Sequence, residues 1–307
     1  MLRDYEAVIS RNSQQKENEK DGLHILLISI HGLIRGENLE LGRDADTGGQ
    51  IKYVLELTRA LAQQPEVAQV VLLTRRIDDA QIDDDYAQAV EELGDGARIV
   101  RLDAGPPEYL PKETLWDHLD TFTDNALTYL RSTDALPDLV HSHYADGGYV
   151  GSRLSAQLGV PLIHTGHSLG RVKRRRLLAT GLDSTTIEQR YSMSRRIEAE
   201  EQTLASAERV ITSTSQEIEE QYGFYDHYQP DQMRVIPPGT DLLHFHPPQG
   251  DEWQNPISEE ICRFLRDPQK PIILALSRPD TRKNIGALVT AFGESEELQT
   301  AANLLIV

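Results

Sequence analysis

Short apolar runs alternating with helical patterns constrain this chain more than any other feature. Runs rich in branched aliphatic residues fall at 24–30, 70–74, 98–102, 139–142, 161–165 and 209–213, and helical patterns separate most of them. Strands of this length followed by helices of ten or more residues imply a mainly parallel sheet covered on both faces, so the fold class is α/β. In such sheets ligands sit beyond the carboxyl ends of the strands. The segments that follow each run are therefore where functional residues belong.

After the first run comes a polar loop, residues 31–50, that ends Asp46-Thr47-Gly48-Gly49-Gln50. Ile51, Val54, Leu55, Thr58, Leu61 and Ala62 then repeat at helical spacing. Gly48 and Gly49 lack a Cβ and let the backbone approach a ligand, while free N–H groups at a helix start favour an anion such as a phosphate. The same Thr-Gly-Gly also suits a cap and a tight turn. No G-x-G-x-x-G follows the strand, which argues against a nicotinamide enzyme. Two further polar loops are expected, Ser142-His143-Tyr144-Ala145-Asp146-Gly147-Gly148 and Gly166-His167-Ser168-Leu169-Gly170, converging with the first on one rim.

His167 in that last loop suits a hydrogen bond to a sugar hydroxyl, although a lone loop histidine is more often structural. Arg171, Lys173, Arg174, Arg175 and Arg176 follow it, a cationic island in a chain whose formal net charge is -18. Forked Arg donors and a mobile Lys charge suit a phosphate monoester, with one or two of these residues touching it. A solvated face is the alternative. Arg195 and Arg196 lie on a predicted helix whose acidic residues could neutralise them, and Lys112 sits just before another. Arg278 and Lys283 flank the loop after the apolar run 271–277, a place suited to a nucleotide diphosphate.

Composition narrows the partners. With 49 acidic against 31 basic residues, neither nucleic acid nor an anionic membrane surface attracts this chain, and a small molecule is the expected ligand. One cysteine, Cys262, excludes an internal disulfide and argues against a cysteine-rich zinc site, which places the chain in a reducing cytoplasm. No metal motif, Walker-type loop or Gly-x-Ser-x-Gly elbow is present. Residues 1–22 form a polar, flexible leader without an apolar span, and the acidic run 78–85 is a solvated loop. Pro237-Pro238-Gly239 breaks the pattern, so the domains are 23–236 and 237–307. Roughly seventy residues cannot complete a doubly wound domain of about 100 or more, so the second is expected to be truncated.

The segments HGLIRGENLELGRDADTGGQIKYVLEL, HSHYADGGYVG, GHSLGRVKRRRLL, RRIEAEE, ITSTSQEIEEQYGFYD, VIPPGTD and SRPDTRKN, in this order across residues 23–290, resemble the sucrose-phosphate synthases. The resemblance implies a GT-B fold, two Rossmann-like domains with acceptor on the N-terminal side and nucleotide-sugar on the C-terminal side. It implies retaining transfer of glucose from UDP-glucose to fructose 6-phosphate, with no obligatory cofactor or metal. By the same resemblance Gly48, Gly49, Arg278 and Lys283 meet the donor, His167 stands at the reacting centre, and Gln50, Lys112, Tyr144, Ser168, Lys173, Arg195 and Arg196 surround the acceptor. Sucrose synthase, which uses free fructose, is the nearest rival. A sugar-phosphate-binding fragment without turnover is the other.

Overall fold

A computed structural model describes residues 22–133, 136–242, 245–247, 249–250, 254–277 and 283–307. The expected leader, except Gly22, and the expected donor residue Arg278 lie outside the described residues.

In the first strand, β1 (Leu23–Ile28), alternate side chains enter different cores. Leu26 and Ile28 join one apolar cluster, and Ile25 and Leu27 join another. That is the signature of a strand buried on both faces. Helix α1 (Gly49–Ala62) covers one face through Ile51, Val54, Leu55 and Ala62. The chain continues through β2 (Val67–Arg75), β3 (Val90–Gly94) and β4 (Ala97–Leu102). A 3₁₀ turn, Lys112–His118, leads into α2 (Leu119–Ser132), then β5 (Leu139–His143), α3 (Tyr144–Leu158) and β6 (Leu162–Thr165). Next come α4 (Gly170–Ala179), α5 (Ser184–Tyr191), α6 (Met193–Ser206), β7 (Arg209–Thr212), α7 (Ser215–Glu220) and β8 (Met233–Val235). Phe122, Ala126 and Leu130 of α2, Val150 and Leu154 of α3 and Leu204 of α6 fill the core on the other face.

The eight strands order as β3-β4-β2-β1-β5-β6-β7-β8, all parallel except the β3–β4 pair. The expected α/β class is observed. Strand β3 was not anticipated, because its sequence Val90-Glu91-Glu92-Leu93-Gly94 carries charge where the other strands carry aliphatic residues. It is held by the buried Arg101, whose guanidinium meets Glu91.

From β1 the chain winds outward through β2 and β4, then returns to the other side of β1 to start β5, where Ile28 pairs with Ser142. The strand order reverses between these two strands. The chain leaves β1 towards β2 and leaves β5 towards β6, in opposite directions along the sheet, and the crevice this opens is the natural ligand site of a doubly wound sheet.

Contacts divide the chain into two units, the second being Gly239–Val307. It contains α8 (Pro256–Cys262), β9 (Ile272–Ala275), α9 (Ile285–Glu294), α10 (Glu296–Ala301) and β10 (Asn303–Ile306). Strands β9 and β10 pair in parallel through the crossover of α9 and α10.

Candidate active site

At the reversal, side chains from both strand ends meet. His31, after β1, shares a 2.7 Å hydrogen bond through Nδ1 with Asp146 Oδ2 on the first turn of α3. Both residues are buried. Gln50 donates weakly to Ser29 Oγ at 3.4 Å, which ties the start of α1 to the end of β1.

Among the described residues Gly48 and Gly49 face open space, with no atom beyond their own chain neighbours within 4 Å of where a Cβ would stand, and neither has a positive φ. Their glycine character is therefore required neither by backbone strain nor by protein packing. Thr47 does not cap α1. Its hydroxyl accepts from Leu33 N–H at 3.1 Å and donates to Asp44 at 3.1 Å. Helix α1 thus presents N–H groups without a side-chain cap, the arrangement that receives anions.

Asp46 clamps this loop to the 3₁₀ turn. Its buried carboxylate accepts from the Lys112 backbone N–H at 2.9 Å, from Lys112 Nζ, and from Tyr109 OH at 3.4 Å. Burial works to raise its pKa, but these Lys112 contacts prevail and hold it below the ordinary carboxylate value.

The second expected polar loop is corrected by the structure. Strand β5 runs on through His143, and α3 begins at Tyr144 with no intervening loop. The change of direction falls on Tyr144 itself, at φ +64°. His167 also has a left-handed backbone, φ +56°. Such conformations in bulky non-glycine residues store strain and concentrate at functional sites.

One of these strained residues belongs to a histidine pair and the other adjoins it. His143 Nδ1 lies 3.0 Å from His167 Nε2, so one ring donates to the other. His143 is fully buried, and its Nε2 has no hydrogen-bond partner among the described residues. Tyr53 of α1 sets its ring edge-to-face against His167 at 5.1 Å and His143 at 6.0 Å. His141 bonds Thr165 Oγ1 at 2.9 Å, and His164 bonds Ser142 Oγ at 2.9 Å. Burial lowers the pKa of His141 to about 3 and of His164 to about 4, and pushes His143 well below its ordinary value. His167 is also depressed, by the protein packed around it and by the neighbouring imidazoles, although the residue as a whole is exposed. These imidazoles are neutral at pH 7.

The cations divide. Arg196 is buried, with Nε donating to Glu200 at 2.9 Å and Nη2 to Ser168 O at 2.7 Å and Oγ at 3.3 Å. Its guanidinium also lies 4.6 Å from the Tyr144 ring centre. Arg196 thus fixes Ser168 and Tyr144 in place. Arg195 does not join them. Neighbours on a helix point about 100° apart, and Arg195 turns outward to Asp117 at 2.5 Å.

In the cationic island, which forms α4, Arg171 is taken by Glu201 at 2.6 Å and Asp226 at 2.9 Å. Arg174, Arg175 and Arg176 are exposed. Lys173 alone joins the group around Lys112, with Nζ 3.9 Å from the Tyr191 ring centre and 3.6 Å from Glu113. Burial, Arg196 and Lys112 lower its pKa to about 8. A cation kept near others and only partly neutralised is poised for an anionic ligand. In the second unit Lys283 is exposed.

Sequence reasoning assigned no role to His31, Tyr53, Asp146 or Glu200. The histidines of His141-Ser142-His143 share one face of a strand by their period of two, a signal that was available. The partners of Asp146 and Glu200 carried no such mark. The acidic run 78–85 is the largely exposed segment expected, and Asp83 and Asp85 pair there with Arg35.

Residues 48–239 match the family described as glycosyl transferase 4-like domain. The chain belongs to that family of glycosyltransferases. Within it, the relatives are specific: a Solanum tuberosum protein named probable sucrose-phosphate synthase is 43% identical over 96% of this chain. The chain spans 33% of that relative's length. A solved sucrose-phosphate synthase from Thermosynechococcus elongatus has a TM-score of 0.69 at 30% identity, covering 92% of this chain and 62% of that one. An Anabaena protein solved with UDP-glucose shares the fold, with a TM-score of 0.53 at 12% identity, covering 92% of this chain and 60% of that one. These neighbours are GT-B glycosyltransferases. Among the described residues no helix is long and apolar enough to cross a membrane, and no group of three or more His, Cys, Asp or Glu is placed to hold a metal ion.

Proposed function

We propose that this chain takes part in retaining transfer of glucose from UDP-glucose to fructose 6-phosphate, giving sucrose 6-phosphate and UDP. The observation that carries the reading is the uncapped start of α1 with its open glycines, in a unit where Lys112, Lys173 and the buried Arg196 gather. Both substrates are phosphorylated sugars. The names of the relatives support this choice.

In this reading Gly48 and Gly49 admit the donor's diphosphate and transferred sugar. Gln50, Lys112, Tyr144, Ser168 and Lys173 hold the acceptor, with Lys173 on its phosphate and Arg196 bracing Ser168 and Tyr144 from behind. Arg278 and Lys283 are assigned to the donor diphosphate. His167, neutral, donates or accepts a hydrogen bond to a sugar hydroxyl and does not serve as a charged acid.

The donor's anomeric C–O bond to phosphate breaks as the acceptor's anomeric oxygen attacks from the same face, and the departing phosphate oxygen takes the acceptor proton. Cations and N–H donors at that oxygen stabilise the charge that develops there. The setting is a reducing cytoplasm, in keeping with the single cysteine.

Calorimetry on the chain tests the acceptor assignment. Fructose 6-phosphate should bind more tightly than fructose. Lys173→Ala should weaken fructose 6-phosphate by about tenfold to a hundredfold, the worth of a charge-assisted hydrogen bond, and leave fructose little changed. Equal losses for both sugars would remove the phosphate from Lys173, and a preference for fructose would favour the sucrose synthase reading.

A further inference from the structure

The substrate reading absorbs Lys173 and leaves the arginines of α4 without a task. Arg171, Arg174, Arg175 and Leu178 follow the i, i+3, i+4, i+7 spacing and share one helix face. That face lines a groove of about 650 Å³ with Ile197 and Glu198 of α6 and with Phe224. Two large apolar side chains lie open there, Leu178 at 43% exposure and Phe224 at 44%. Arg175 stands over the Phe224 ring at 5.4 Å.

Charge makes this groove unusual for its chain. Acidic residues outnumber basic ones by 49 to 31, yet no carboxylate lies within ion-pair distance of Arg174 or Arg175 among the described residues. Arg171 has Glu201 and Asp226, so the free positive charge sits on the next turn. Glu198 borders the α6 side and confines the cationic edge to α4. At physiological salt, charges beyond about 8 Å are screened. A ligand in the groove therefore feels the arginines before the distant acidic surface.

We propose that the α4–α6–Phe224 groove docks an acidic protein segment that carries large apolar side chains. Its carboxylates pair with Arg174 and Arg175, which suit bidentate carboxylate contacts. Its apolar residues cover Leu178, Ile197 and Phe224. A purely apolar partner would leave the arginines buried and unpaired, and a simple polyanion would leave the apolar floor wet. The combination selects a segment with both features. This proposal stands apart from the substrate reading, because none of its contacts touches a residue assigned to donor or acceptor.

Fluorescence anisotropy tests it with a labelled probe peptide of Glu interleaved with Leu at helical spacing, titrated with the full chain. Binding should weaken by about tenfold or more when Gln replaces every Glu, and again when Ser replaces every Leu, a factor equal to about 1.4 kcal/mol. The double change Arg174→Glu with Arg175→Glu should cost as much, and because both side chains are exposed its melting temperature should stay near that of the parent. Leu178→Ala should cost less.

Equal binding of the Gln peptide, or full binding by the double variant, overturns the proposal. So does tight binding of inorganic polyphosphate with none of the acidic peptide, which would make the face a polyanion site. A dimer in sedimentation that the double substitution dissolves would also overturn it, in favour of a second copy of the chain.

Discussion

Asp46→Asn isolates the clamp between the glycine loop and the 3₁₀ turn. The substitution keeps shape and volume but removes the charge that Lys112 meets twice, through its backbone N–H at 2.9 Å and through Nζ. Hydrogen bonds to charged groups each contribute about 1.5–3 kcal/mol. Asparagine keeps one acceptor, and Glu113 at 3.5 Å takes up part of the Lys112 charge, so the net loss should be about 2–3 kcal/mol. For a unit of some two hundred residues that lowers Tm by about 4–12 °C. Differential scanning calorimetry at a series of pH values is the assay.

Because the folded-state pKa of Asp46 is depressed, its stabilisation is fully present above the unfolded value near 3.9 and is lost as pH falls through the folded value. The gap between parent and variant should therefore be widest at neutral pH and close below about pH 4. A gap of the same size at pH 3 and pH 7 would show that the charge does not act through Lys112, and no gap at pH 7 would refute the clamp itself.

The other expectations rest on separate parts of the site. Gly48→Ala and Gly49→Ala should leave Tm within about 1 °C, since open space surrounds both positions, while UDP release in a coupled assay falls at least tenfold; a large loss of Tm would show that packing requires these glycines. His141 and His164 have folded pKa values near 3 and 4, so the unfolded chain takes up protons first and the parent should lose stability as pH falls from about 6.5 towards 4. His141→Gln should flatten that part of a urea-denaturation profile, and an unchanged slope would count against it. Glu200→Ala strands the buried Arg196 guanidinium and should cost about 3–5 kcal/mol in the same measurement, whereas Glu200→Ala combined with Arg196→Met should recover much of it.

The sequence by itself determined the alternation of strands and helices. The strands are marked by short continuous apolar runs and the helices by a period near 3.6, and both are local properties. It also located the first and third polar loops, because glycines after a buried strand mark where a sheet releases the chain. The same local logic failed at Tyr144, where a helix begins directly after the strand's last residue through a left-handed backbone that no residue type announces. It failed at β3, whose charged sequence pairs only because β4 and the buried Arg101 offer it a partner.

Only the tertiary structure decided which functional groups meet. His31 and Asp146 are 115 residues apart, and His143 and His167 are 24 apart. Both pairs form because β5 returns beside β1 and β6 beside β5 in a particular register. Adjacent arginines 195 and 196 could not be told apart by type. One faces solvent and Asp117, the other a buried carboxylate, because helix α6 has a single inward face and the sheet beneath it selects which residue lies there.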